Sequence, residues 1–341
     1  MKEIDALVRP NILALSPYST ARDDFKGKAE VYIDANESPF PSGWNRYPDP
    51  RQKALKARIS ALKGVPAESI FIGNGSDEAI DVLMRVFCTP GHDEVVSIAP
   101  SYGMYRVAAD INDLPLTEVQ LGEGFSLEPE KLLAACTERT KLLFLCSPNN
   151  PSGNAFAVSD LLRVAEAFRG ITVVDEAYID FSSQPSLLPQ LAEHPRLVVL
   201  QTLSKARGMA ALRLGLAFAA PRIVELMSRV KYPYNINEAA QKLALEVLEN
   251  PIEGQVATVL EERARLEREL PRFPFVRKIW PSDANFLLVQ VDDADATYDH
   301  LTRDGIIVRN RNRVKGCQGC LRITVGLPEE NDKLLKSLSK L

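Results

Sequence analysis

Lys205 stands in the run Leu200-Gln-Thr-Leu-Ser-Lys-Ala-Arg-Gly208, directly after an apolar stretch and before a glycine. Hydroxyls at Thr202 and Ser204 flank it, and Arg213 follows eight residues on. Two hydroxyl donors and a guanidinium can grip a phosphate, leaving the amine beside them to take an aldehyde on the same molecule. The bland alternative is a solvated lysine, which is what most lysines are. Asp175 closes the apolar run Ile171-Thr-Val-Val-Asp175 and is followed by Glu-Ala-Tyr178. A carboxylate at the carboxyl end of a buried strand needs a cation or must lie open to water. The protonated ring nitrogen of pyridoxal 5'-phosphate is one such cation, and a neighbouring basic side chain is another. Tyr178 is spaced to reach the phenolic oxygen of the same ring.

Two turns carry further candidates. Gly73-Asn-Gly-Ser-Asp-Glu78 follows a strand-like run and opens a helix, with Ser76 expected as its N-cap. The amides of Gly75, Ser76 and Asp77 would then face a phosphate, although a glycine turn before a helix is often only a turn. A dinucleotide fingerprint would want glycine where Glu78 stands, and the Walker lysine is absent. Ser147-Pro-Asn-Asn-Pro-Ser-Gly153 ends another apolar run, and Asn150 within it can donate to a phenolate oxygen. Tyr102, in Pro100-Ser-Tyr-Gly-Met-Tyr105, stacks either on a flat heteroaromatic ring or in the core.

These residues need an edge to sit on. Short, non-alternating apolar runs at 69–73, 94–98, 141–146, 171–175, 197–201 and 214–218 predict strands covered on both faces. Helical spacing at 77–88, 102–110, 158–168 and 221–230 lies between them, so the fold class is α/β with a mostly parallel sheet flanked by helices. Helices are also predicted over 236–250 and 253–270. We expect an arm over 1–28 packing with the small domain, a large domain over 29–250, and a smaller α+β domain over 251–341.

The chain of 341 residues carries 41 basic and 45 acidic side chains, a formal net charge of −4. No global basic field is available for nucleic acid, and no uncharged stretch is long enough for a membrane helix. The first residues have no signal-like apolar core, so a cytoplasmic protein is expected. Cys88, Cys136 and Cys146 sit in apolar contexts, and five cysteines suggest no disulfide framework. Cys317-Gln-Gly-Cys320 has metal or redox spacing but lacks the second pair or histidines that zinc would want, so no metal is expected.

The order of these features resembles the fold type I pyridoxal-phosphate enzymes, carried by Pro-Asn-Asn-Pro-Ser-Gly153, Asp-Glu-Ala-Tyr178 and Ser-Lys205 with Arg213. Within them the chain is similar to the histidinol-phosphate aminotransferase family. Val8-Arg-Pro-Asn-Ile12, Pro17-Tyr-Ser-Thr-Ala-Arg22, Asp34-Ala-Asn-Glu37, Asn45-Arg-Tyr-Pro-Asp49, Gly305-Ile-Ile-Val-Arg309 and Cys320-Leu-Arg-Ile-Thr-Val-Gly326 carry that likeness. Ser38 and Leu327 depart from it, where asparagine and threonine are usual. The resemblance implies pyridoxal 5'-phosphate held covalently by Lys205, with Asp175 and Tyr178 on its ring. It further implies Gly75, Ser76, Asp77, Tyr102, Asn150, Thr202, Ser204 and Arg213 as cofactor contacts.

By the same likeness Tyr47 reaches the cofactor phosphate of a second subunit, so a homodimer with shared sites is expected. Tyr18, Asn36, Arg309 and Arg322 are the expected substrate contacts, while Arg311, Arg313 and Lys315 are expected in a solvated loop. The implied reaction converts histidinol phosphate and 2-oxoglutarate to imidazole-acetol phosphate and glutamate in histidine biosynthesis. An aromatic or broad-range aminotransferase would use Arg322 for a carboxylate, and a threonine-phosphate decarboxylase would share nearly every motif. A regulator built on the same fold is disfavoured by the presence of Lys205.

Overall fold

The computed structural model describes residues 2–18, 21–24 and 30–341. Seven strands form the large sheet: β1 (Ile70–Asn74), β2 (Glu94–Ala99), β3 (Leu116–Gln120), β4 (Thr140–Cys146), β5 (Ile171–Asp175), β6 (Leu197–Thr202) and β7 (Leu214–Ala219). Their order is β1-β7-β6-β5-β4-β2-β3. Pairing is parallel except around β7, which runs antiparallel to both β1 and β6. The central strands are apolar along their length because helices cover both faces, leaving no polar side. β3 escaped the sequence reading because its Leu-Thr-Glu-Val-Gln alternates at the sheet edge, with two exposed residues.

The reversal at β7 matters for chemistry. Register pairs Cys146 with Asp175, Thr202 with Gly215, and Asn74 with Leu214. The carboxyl ends of β1, β4, β5 and β6 and the amino end of β7 therefore meet at one edge, bringing Arg213 beside residues far away in sequence.

Helix Gly75–Phe87 starts at Gly75, with Asn74 as its N-cap. Ser76 is thus inside the first turn and not the cap, because the chain enters helical geometry as soon as β1 ends. Ala79, Ile80, Leu83, Met84 and Phe87 line its buried face. Gly215 sits so close beneath this turn that a Cβ there would fall 2.0 Å from the Ser76 amide nitrogen.

A second, antiparallel sheet follows: β8 (Val276–Ile279), β9 (Phe286–Val291), β10 (Arg309–Asn310) and β11 (Cys320–Thr324), in the order β10-β11-β9-β8. Leu287, Val289, Leu321 and Ile323 turn into its own core, while Leu288 and Cys320 pack with Phe125 of the larger unit. Tyr178, Phe181, Ala284 and Phe286 form the junction.

Among the described residues, the arm packs on the larger unit and not on this smaller one. Ile4, Val8 and Ile12 join the core beside Phe87, Ile223 and Met227 of the larger one, and the Arg9 amide donates to the Val86 carbonyl at 3.1 Å. Ile4 and Ile12 lie on two short helical turns, Lys2–Asp5 and Pro10–Leu13, with Val8 in the bend between them, and all three enter the larger unit's core. The expected boundary at residue 28 lies outside the described residues.

Candidate active site

One cavity at the shared strand edge is lined by Gly75, Ser76, Asp77, Tyr102, Cys146, Asn150, Asp175, Ala177, Tyr178, Thr202, Ser204, Lys205 and Arg213. Every cofactor contact expected from the sequence is there except Tyr47.

The first-turn amides of helix Gly75–Phe87 lack carbonyl partners within the helix, which makes its start a natural phosphate seat. Gly75 has φ +73, and a Cβ there would lie 2.5 Å from Arg213 Nη2, so only glycine leaves that guanidinium its place. Arg213 lies 3.4 Å from Asp77 Oδ2, and the Tyr102 hydroxyl donates to Asp77 Oδ1 at 3.0 Å. Thr202 Oγ1 accepts from the Ser204 amide at 3.1 Å, tying the two hydroxyl residues into one turn beneath Lys205.

Asp175 is 2% exposed. It accepts from the Tyr105 hydroxyl at 2.8 Å and from the Ala177 amide at 3.1 Å, yet has no ion-pair partner among the described residues. Burial pushes its carboxyl up to about 6, against the pull of those donors. A buried carboxylate lacking a cation fits a protonated ring nitrogen, so these residues fit the cofactor the sequence implies. Lys205 Nζ sits 5.7 Å from the centre of the Tyr178 ring. Burial and the nearby Arg322 hold its amine below the ordinary lysine value.

Asn150 Nδ2 donates to the Tyr178 oxygen at 3.3 Å, and Arg322 Nη1 donates to Asn150 Oδ1 at 2.5 Å. Arg322 thereby reaches from the small sheet to the cavity's rim, its guanidinium 5.2 Å from the centre of the Phe286 ring. Arg309 pairs with Arg322 across β10 and β11, and both line an adjoining cleft with Asp295, Tyr298 and Asp299.

Tyr18, Asn36 and Tyr47 are not brought to this cavity. Tyr18 lines a separate pocket with Gln52 and Lys56, and is 71% exposed. Asn36 and Tyr47 line another surface cleft, where Tyr47 stacks on Tyr234 at 4.4 Å. Arg311 corrects the expectation of a solvated loop: it is half-buried, and its Nε is enclosed without a hydrogen-bond partner. Tyr105, in the first turn of helix Met104–Ile111, is a site residue absent from the sequence reading; its ring meets that of Tyr102, just before the helix, edge-on at 5.6 Å.

The chain belongs to the aminotransferase class I and II family, whose model matches residues 21–338. Within that family it groups with histidinol-phosphate aminotransferases. It is 53% identical over 343 residues to the enzyme of that name from Parabacteroides distasonis, covering 100% of this chain and 99% of the relative. The fold is also similar to the histidinol-phosphate aminotransferase of Clostridium acetobutylicum, with a TM-score of 0.81 and 22% identity over 87% of this chain and 91% of that one. The Sinorhizobium meliloti enzyme, solved in complex with pyridoxal-5'-phosphate, gives a TM-score of 0.80 and 24% identity over 90% and 89%.

Proposed function

We propose that the protein is a pyridoxal-phosphate aminotransferase that moves the amino group of histidinol phosphate to 2-oxoglutarate, giving imidazole-acetol phosphate and glutamate in histidine biosynthesis. The activity named for its full-length relatives supports this reading. The observation that carries it is Arg322, fastened to Asn150 at the cavity rim with its Nε enclosed and unpartnered, where a substrate's anionic tail would lie.

When bound, the cofactor supplies a carbonyl carbon that takes the amino group and a ring that delocalises the electron pair left at the substrate α-carbon. Lys205 would hold it covalently. Ser76, Asp77, Thr202, Ser204 and Arg213 would grip its phosphate, Tyr102 would stack on the ring, and Asn150 and Tyr178 would meet its phenolic oxygen. Asp175 would hold the proton on the ring nitrogen. Lys205 Nζ, with its basicity reduced by burial and Arg322, moves the proton from the substrate α-carbon as general base.

The reading includes a homodimer of the cytoplasm. Ile33, Phe40 and Trp44 are 91%, 78% and 62% exposed beside Tyr47, an apolar surface suited to a second copy that would receive Tyr47 at its phosphate seat. All five cysteines are free, which suits a reducing compartment. Residue 250, between helices Glu238–Leu248 and Glu253–Glu269, is taken as the boundary between the cofactor-holding unit and the one that carries Arg322.

The test is single-turnover loss of cofactor absorbance with histidinol phosphate, phenylalanine, tyrosine and threonine phosphate. Histidinol phosphate should react fastest. Arg322→Ala should lower its kcat/KM roughly thirtyfold to a thousandfold, corresponding to about 2 to 4 kcal/mol for a stranded dianion. Arg309→Ala should cost less because Arg309 is exposed. A parent enzyme that prefers phenylalanine or tyrosine, with Arg322→Ala harming those equally, would assign the arginine to a carboxylate.

A further inference from the structure

Antiparallel pairing sets Arg309 and Arg322 side by side on one face of the small sheet. Arg311 continues that face: it lies two residues beyond Arg309, and its amide extends the ladder by donating to the Cys320 carbonyl at 2.9 Å. The opposite face, with Leu321 and Ile323, belongs to the small core. Arg322 on this face reaches Asn150 of the larger unit, Arg311 is half-buried beside it, and Arg309 lies at the exposed edge.

None of the three is ion-paired among the described residues, and the Nε atoms of Arg311 and Arg322 are both enclosed without acceptors. The loop does engage an acid, but not through its arginines. Asn310 and Asn312 donate to the two oxygens of Asp295 at 2.6 and 2.9 Å, and the Gly319 amide donates to Asn312 Oδ1 at 2.9 Å. These bonds fix the backbone on both sides of Arg311 and leave its guanidinium unneutralised. Burial, reinforced by Arg322 and Arg309, pushes that guanidinium down to about 10. Two half-buried guanidinia, Arg311 and Arg322, with a third at the exposed edge are relieved by an anion from outside.

Resting on the substrate reading above, we infer that Arg311 is a third anion-binding group of the site. It closes with Arg322 on a phosphate tail and sets the preference for a phosphomonoester over a carboxylate. One fork satisfies the two oxygens of a carboxylate, whereas a phosphate dianion has a third oxygen and a second charge to reward another fork.

The test uses the holoenzyme and two readouts: the ratio of kcat/KM for histidinol phosphate to that for histidinol, and the inhibition constant of inorganic phosphate. Arg311→Gln should lower the ratio and raise the phosphate constant, each by about tenfold or more, with cofactor absorbance and melting temperature confirming the fold. Arg311→Lys, which keeps charge without the fork, should fall between that variant and the parent. Lys315→Gln removes an exposed cation from the same loop and should shift neither readout by more than about twofold. Parental values in folded Arg311→Gln, or equal losses in Lys315→Gln, overturn the inference. A parent with no preference for histidinol phosphate over histidinol sinks the substrate reading instead, while the phosphate titration still decides whether Arg311 binds an anion.

Discussion

Asp175 enters the sheet edge accepting from Tyr105 and Ala177 with no ion-pair partner among the described residues, so its charge state depends on what it meets there. Asp175→Asn should slow the single-turnover chemical step by about a hundredfold or more, because a neutral amide cannot hold a proton on a ring nitrogen. A variant within about twofold of the parent rate would remove Asp175 from that role. Tyr105→Phe tests the orientation of the same carboxylate. The Tyr105 hydroxyl favours the charged form, so its loss raises a carboxyl already pushed up to about 6, and the acidic limb of kcat/KM should move to higher pH. An unmoved limb would reduce Tyr105 to a packing residue against Phe144, on which its ring stacks at 4.8 Å.

At the level of elements, the contact between β7 and helix Gly75–Phe87 governs the phosphate seat. A Cβ on Gly215 would meet the backbone of both Gly75 and Ser76, and backbone cannot rotate aside as a side chain can. Gly215→Ala should cost about 1 to 3 kcal/mol through overpacking and weaken cofactor binding by about tenfold as the first turn is displaced. Parental affinity and melting temperature would show that the close approach is not needed. This layer also shows where the sequence could be read. Apolar runs betray buried strands, and a lysine between hydroxyls or an aspartate ending such a run is visible as text. The face shared by Arg309 and Arg311 is harder to see, since β10 is two residues long and its alternation appears only when paired with β11. Docking of the arm is hidden for a related reason: Ile4, Val8 and Ile12 are apolar in the text, which does not say which surface accepts them.

For the whole molecule, the expected dimer can be tested through Tyr47. Lys205→Ala and Tyr47→Ala chains should each be impaired alone, yet a mixed dimer contains one site with both residues intact. Co-expression should therefore restore activity toward about a quarter of the parent level if pairing is random, and no restoration would mean that Tyr47 serves its own chain or none. The reversed strand β7 has a consequence for how the protein matures. Residues near 75, 175 and 205–213 converge only when β7 has slotted between β1 and β6, closing contacts across more than a hundred residues of chain. A fragment that lacks β7 cannot present the full phosphate seat. A phosphate-bearing cofactor that needs this whole seat would favour the assembled sheet over states lacking β7, adding stability by mass action.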